Sequence, residues 1–176
     1  LFPNQAKGPR SIVSGAFFSG NTGRLVRLLK GSRIAKEQDM VRCQSQDTPY
    51  QVQFTNGVFT GVCDTSADKG GGGQGFRPHE LLEAALGSCL TMLLGMYAAT
   101  HGIALTGVSV SVSLDRSEKG TTAFVCAISL SGDLDDGQRQ KLMRAARACP
   151  VRKTLSNRLV FIEKINEKTP PAAGRG

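Results

Sequence analysis

The chain has 176 residues, 40% hydrophobic and 20% charged, with no Trp, which suits one well-buried domain rather than two. Its net charge of +8 sits mostly at one end: residues 1–35 hold six cations and no acid, while the remainder has sixteen cations against fourteen acids, so a nucleic-acid-binding body is not expected. Five cysteines at gaps of 20, 26, 37 and 23 residues contain no CxxC pair, which argues against a secreted disulfide framework and a zinc site and fits a reducing compartment better.

Residues 1–39 read as a basic N-terminal extension, rich in Gly, Ser, Arg and Lys. On composition it is equally a leader of the organelle-transit type or upstream sequence without a structural role, with Met40 available as an initiator. The domain is expected over residues 40–168 and a disordered tail over 169–176.

From Pro49 the pattern is that of strands. Tyr50, Val52 and Phe54 alternate with Gln51 and Gln53, Asn56-Gly57 supplies a hairpin turn, and Val58 to Cys63 returns. The glycine tract from Asp68 to Gly75 lacks the Gly-Lys-Ser/Thr that would make it a phosphate loop, so a flexible solvent loop is expected. Pro78 then opens a helix with Glu80 in its first turn, running to about His101 and closed by Gly102. Residues 81–98 are apolar on nearly every face, so protein must surround the helix, and a dimer that buries it centrally is the natural solution. Ala84 to Ala99 falls short of a membrane span and is interrupted by Gly87, Ser88, Thr91 and Gly95.

Val108, Val110, Val112 and Leu114 alternate with serines, giving a half-buried strand that pairs with Phe124 to Leu130. A second amphipathic helix is expected from about Asp135 to Ala148, then a Cys-Pro turn, a short helix and a last strand from Leu159 to Ile165. The order is β-β, long helix, β-β, helix, β, an α+β arrangement without an internal repeat.

Two cysteines stand out. Cys89 lies within the apolar helix, where a thiol is ordinarily inert. Cys149 directly precedes Pro150 and can act as N-cap of the short helix, where free N–H groups favour negative charge. Such a pair suggests thiol redox work. Cys43, Cys63 and Cys126 read as structural residues, and His79 and His101, at opposite ends of the long helix, as surface or capping groups.

The segments PHELLEAALGSC and ACPVRKTLS, with the elements between them in this order, resemble the OsmC/Ohr family of thiol peroxidases over about residues 48–166. The wording around the cysteines is similar to the less-characterised OsmC-like branch. The resemblance implies an OsmC-like fold, with antiparallel strands around long central helices in an intertwined homodimer. It also implies reduction of organic or fatty-acid hydroperoxides, with Cys89 as peroxidatic thiol, Cys149 as resolving thiol and Glu80 as active-site carboxylate. A cellular dithiol, lipoyl or similar, would recharge the pair. No metal, flavin, haem, nucleic acid or membrane is implied. The expected location is bacterial cytoplasm, or a mitochondrial or plastid matrix if residues 1–39 are a leader. The other reading is an OsmC-fold binding protein or thiol redox sensor without efficient turnover.

One family feature has no counterpart in a matching motif. The best-characterised branch activates its thiolate with an arginine from the N-terminal strands. Here Arg42, Arg77 and Arg152 are candidates only by position. Glu80 and Cys89 are nine residues apart, on opposite faces of a straight helix and about 13 Å apart along its axis. For them to meet, the helix would have to break near Gly87-Ser88, or Glu80 would have to serve the partner chain's thiol, the alternative favoured here.

Overall fold

The computed structural model describes residues 40–163. The extension over 1–39, the tail over 169–176 and the last residues of the expected final strand lie outside them. Within the described residues the chain builds strands β1 (Arg42–Ser45), β2 (Val52–Thr55) and β3 (Thr60–Cys63), and the long helix α1 (Pro78–Thr100). Strands β4 (Leu105–Asp115) and β5 (Ala123–Gly132) follow, then helices α2 (Asp136–Ala146) and α3 (Pro150–Ser156). The α+β class is as expected.

Strands β1, β2 and β3 form one antiparallel sheet in sequence order, with Cys43 opposite Phe54 and Phe54 opposite Gly61. The β2–β3 turn is the Asn56-Gly57 turn: Gly57 has φ +91, and the Asn56 Oδ1 accepts from Val58 and Phe59 N–H. Three expectations need correction here. The strands do not begin at Pro49; Arg42 opens an earlier one, β1, which pairs with β2 and has too little apolar alternation to be read from sequence. Tyr50 is not a strand residue, since its φ of +64 places it in the turn before β2. Val58 and Phe59 belong to the hairpin turn, and β3 starts at Thr60.

The glycine tract is mostly exposed, as expected of a solvent loop, and it is also held in place. The carboxylate of buried Asp64 accepts from the N–H of Thr65 at 2.7 Å and of Gln74 at 3.0 Å, closing the loop on itself. The Gln74 N–H, with further help from Thr65 and Gly72, holds this carboxyl below its usual range against the opposing effect of burial. A Cβ at Gly71 would lie 2.3 Å from the Thr65 carbonyl oxygen, so only glycine allows the wrap.

The second sheet is the long β4–β5 hairpin, paired from Leu105 with Gly132 to Asp115 with Ala123. Along β4 the valines and Leu114 are half-buried and the serines exposed, as their alternation requires. That face packs on α1, whose Leu86, Leu90, Leu94 and Ala98 form the core with Leu142, Ala146 and Cys149. Gly87 lets α1 approach the sheet, since a Cβ there would sit 3.3 Å from Val112.

A single chain covers only one side of α1. Met92 and Met96 on the other side are 64% and 69% exposed. By length and composition α1 could cross a membrane, yet its Leu86–Ala98 stripe is packed against β4 and α2. In the described part of the strand expected from Leu159 to Ile165, no strand forms: residues 159–163 pair with no strand, and Leu159 to Ile162 are exposed.

Candidate active site

Helix α1 carries Cys89 three residues after Leu86 and one before Leu90, so its thiol sits beside the core stripe and is half-buried. Helix α2 runs back along α1 and ends at Ala146. The next residues lead into Cys149, the N-cap of α3, with Pro150 at the first helical position as its fixed φ allows. Cys149 is fully buried. These two connections, sixty residues apart, bring the Cys149 Sγ to 3.2 Å from the Cys89 Sγ, with Cys149 as the donor.

Both thiols are free, and a disulfide would need the sulfurs to approach by only about 1.2 Å more. Burial pushes the Cys149 thiol up, and its hydrogen bond to Cys89 pushes the same way, while the peptide groups of Arg152 and Val151 pull it back. The balance keeps Cys149 protonated, and Cys89 is the sulfur that accepts. It is also the more exposed of the two, and so the one a small molecule can reach first.

Glu80 is not part of this contact. Helix α1 is continuous through Gly87 and Ser88, so the expectation of a possible break there is corrected. Glu80 instead closes the N-terminus of α1. It accepts from the Arg77 N–H at 2.8 Å and from the Arg77 Nε at 2.8 Å, with Nη2 on the same oxygen. Arg77 thereby holds the Glu80 carboxyl below its usual range. This is the only ion pair among the described residues.

The other candidates fall elsewhere. Cys43 is exposed on β1 and Cys63 buried at the end of β3, where burial raises its thiol. Cys126 is half-buried on β5, facing the core. His101 ends α1, its Nδ1 2.8 Å from the Tyr97 carbonyl. His79 does more than cap: its Nε2 lies 3.1 Å from Arg116 Nη1, a partner 37 residues away that no local pattern announces. Glu83 was also not singled out from sequence. It ties α1 to β4 by accepting from the Leu114 N–H at 2.8 Å, and only the tertiary fold places that peptide beside it. The described residues contain no group of three or more His, Cys, Asp or Glu side chains that could hold a metal ion.

Beside the thiols, between α1, the β5 strand and helices α2 and α3, lies a cavity of about 730 Å³. Leu86, Leu90, Cys126 and Ile128 contribute to its apolar wall, and Arg152 reaches it from α3.

Residues 71–164 match the family described as OsmC-like protein. No curated protein matches the chain. Among solved structures, the chain is similar to an OsmC like protein from Mycoplasma pneumoniae at 15% identity and a TM-score of 0.57, covering 66% of this chain and 85% of that one. A protein from Psychrobacter arcticus 273-4, named for osmotic stress induction and detoxification response, aligns at 23% identity and a TM-score of 0.56, covering 65% and 85%. An organic hydroperoxide resistance protein OsmC from Legionella pneumophila aligns at 20% identity and a TM-score of 0.50, covering 66% and 88%. At these identities the structures speak for the fold, and the match over residues 71–164, more than half of the chain, carries the assignment: the chain belongs to the OsmC-like family.

Proposed function

We propose that this protein is a thiol-dependent peroxidase that reduces organic hydroperoxides to alcohols. The observation that carries the reading is the 3.2 Å contact between the Cys89 and Cys149 sulfurs, with the buried thiol donating to the more accessible one. That Legionella pneumophila protein is named for organic hydroperoxide resistance, which lends the substrate class.

In the proposed cycle the Cys89 thiolate attacks the outer oxygen of the hydroperoxide, the O–O bond breaks, and the alkoxide takes up a proton to leave as the alcohol. Cys89 is then a sulfenic acid. The Cys149 sulfur attacks it, a disulfide forms, and the hydroxyl leaves as water with the thiol's proton. A dithiol reductant restores both thiols by exchange. Holding Cys149 in contact favours condensation over further oxidation of the sulfenic acid.

Glu80 has no route to Cys89 within one chain, since nine residues of unbroken helix put them about 13 Å apart along the axis. Its proposed role is therefore in the partner chain's site of a homodimer, together with Arg77.

The test is steady-state consumption of cumene hydroperoxide with dithiothreitol. Cys89→Ser should abolish turnover. Cys149→Ser should turn over a few times and then accumulate sulfinic acid on Cys89. Peptide mapping of the oxidised wild type should show Cys89 linked to Cys149 within one chain. Turnover surviving in Cys89→Ser would refute the assignment. Mixed dimers of Glu80→Ala and Cys89→Ser chains should recover one working site. Heterodimers as inactive as either parent would overturn the cross-chain placement of Glu80.

A further inference from the structure

The 730 Å³ cavity has a charge distribution that the thiol chemistry does not use. Neither Cys89 nor Cys149 lines it. Its interior is apolar, with Leu86 and Leu90 from α1 and Ile128 from β5. Its polar lining includes His79, Arg116, Arg147 and Arg152, all exposed, and no Asp or Glu. Since Arg77–Glu80 is the only ion pair among the described residues, none of these three arginines has a carboxylate partner there. Cationic groups that meet at the rim of an apolar pocket without a counter-charge mark a place for an anion carried on an apolar body.

The rim is also oriented. His79 at the start of α1 and Arg116 just beyond β4 come from the same end of the helix–sheet layer, because β4 runs antiparallel to α1 and Leu114 lies beside Glu83. A guanidinium has donors only, so His79 Nε2 accepts from Arg116 Nη1 and steadies that side chain. Arg147 and Arg152 reach the cavity from the opposing helices. Below them, Leu82, Leu86 and Leu90 follow one another along about 12 Å of α1, the direction in which an alkyl chain could extend. The volume lies within the range of about 300–1,000 Å³ usual for small-molecule sites.

We propose that this cavity binds a single-chain amphiphile, its anionic head on Arg116 and Arg147 and its alkyl chain along Leu82, Leu86 and Leu90. Guanidinium forks suit a carboxylate and a phosphate alike, so the head group is one of these two. The site is separate from the thiol pair and does not depend on turnover.

The experiment uses the full chain carrying Cys89→Ser, so that binding is read apart from any peroxidase reaction. Calorimetric titration with decanoate, decyl phosphate and methyl decanoate should show saturable binding, one per chain, of at least one anion, with the neutral ester about tenfold weaker or more. Which anion binds more tightly identifies the head group. Arg116→Ala and Arg147→Ala should each weaken that anion about tenfold, and Ile128→Trp should abolish binding by filling the wall, while circular dichroism confirms that every variant is folded. Absence of saturable binding, as when a second chain fills the cavity, overturns the proposal. So does equal affinity for anion and ester, or affinity unchanged in both arginine variants. A failed peroxidase assay leaves this result untouched, and the reverse also holds.

Discussion

The exposed side of α1 gives a quantitative handle on assembly. Full burial of a methionine side chain is worth about 1.5–3 kcal/mol. With Met92 64% and Met96 69% exposed in the single chain, covering what remains would contribute about 1–2 kcal/mol per residue, or about 4–8 kcal/mol over the four residues of a symmetric pair. Met92→Glu should remove about 2–4 kcal/mol of that and in addition place two carboxylates against a dry interface, so the dimer should dissociate at least about 30-fold more readily. Sedimentation over a concentration series from nanomolar to tens of micromolar measures both constants. Wild type should be dimeric at micromolar concentration, and the variant should shift towards monomer or lose its fold. Two results would refute the reasoning: a wild-type chain that is folded and monomeric at tens of micromolar, or a Met92→Glu dimer as tight as the parent.

Leu94 is fully buried at the centre of the core, so Leu94→Ala should cost about 2–5 kcal/mol in urea unfolding without changing the Cys89–Cys149 disulfide yield of the folded fraction. The Cys149 thiol is raised in the folded protein, so the folded state holds that proton more tightly than the unfolded one. Its contribution is therefore present at neutral pH and is lost as pH climbs through the alkaline thiol range, and Cys149→Ser should flatten that part of the stability profile. Asp64 has the opposite sign: its carboxyl is lowered by the Gln74 and Thr65 N–H groups, so its contribution holds above the ordinary carboxylate pKa and is lost as pH falls. Asp64→Asn should remove part of the acid-side loss of stability and speed amide exchange at Gln74; unchanged exchange there would count against the clamp.

Much of the architecture is legible in the chain itself because it follows from local rules. The alternation of Val108 to Leu114 with serines places one face of β4 on the core, and Pro78 and Gly102 bound α1 through fixed φ at one end and a φ of +60 at the other. The Asp135 N-cap of α2 and the Cys149-Pro150 start of α3 are equally local. The family, and with it the pairing of Cys89 with Cys149, came from two motifs and the order of elements rather than from periodicity.

What sequence could not show are contacts whose partners lie far apart in the chain. Strand β1 exists because β2 offers it an edge, since its own residues carry no alternation, whereas the apolar run over residues 159–163 pairs with no strand. Asp64 ties a tract that reads as a flexible loop back on itself, because a buried carboxylate must find donors and one of them is the peptide N–H of Gln74, ten residues on. The 3.2 Å between the two sulfurs and the arginines at the rim of an apolar cavity arise only when α1, the β4–β5 hairpin and α2–α3 are packed together. Periodicity states which face of an element is buried, and only packing states what it meets.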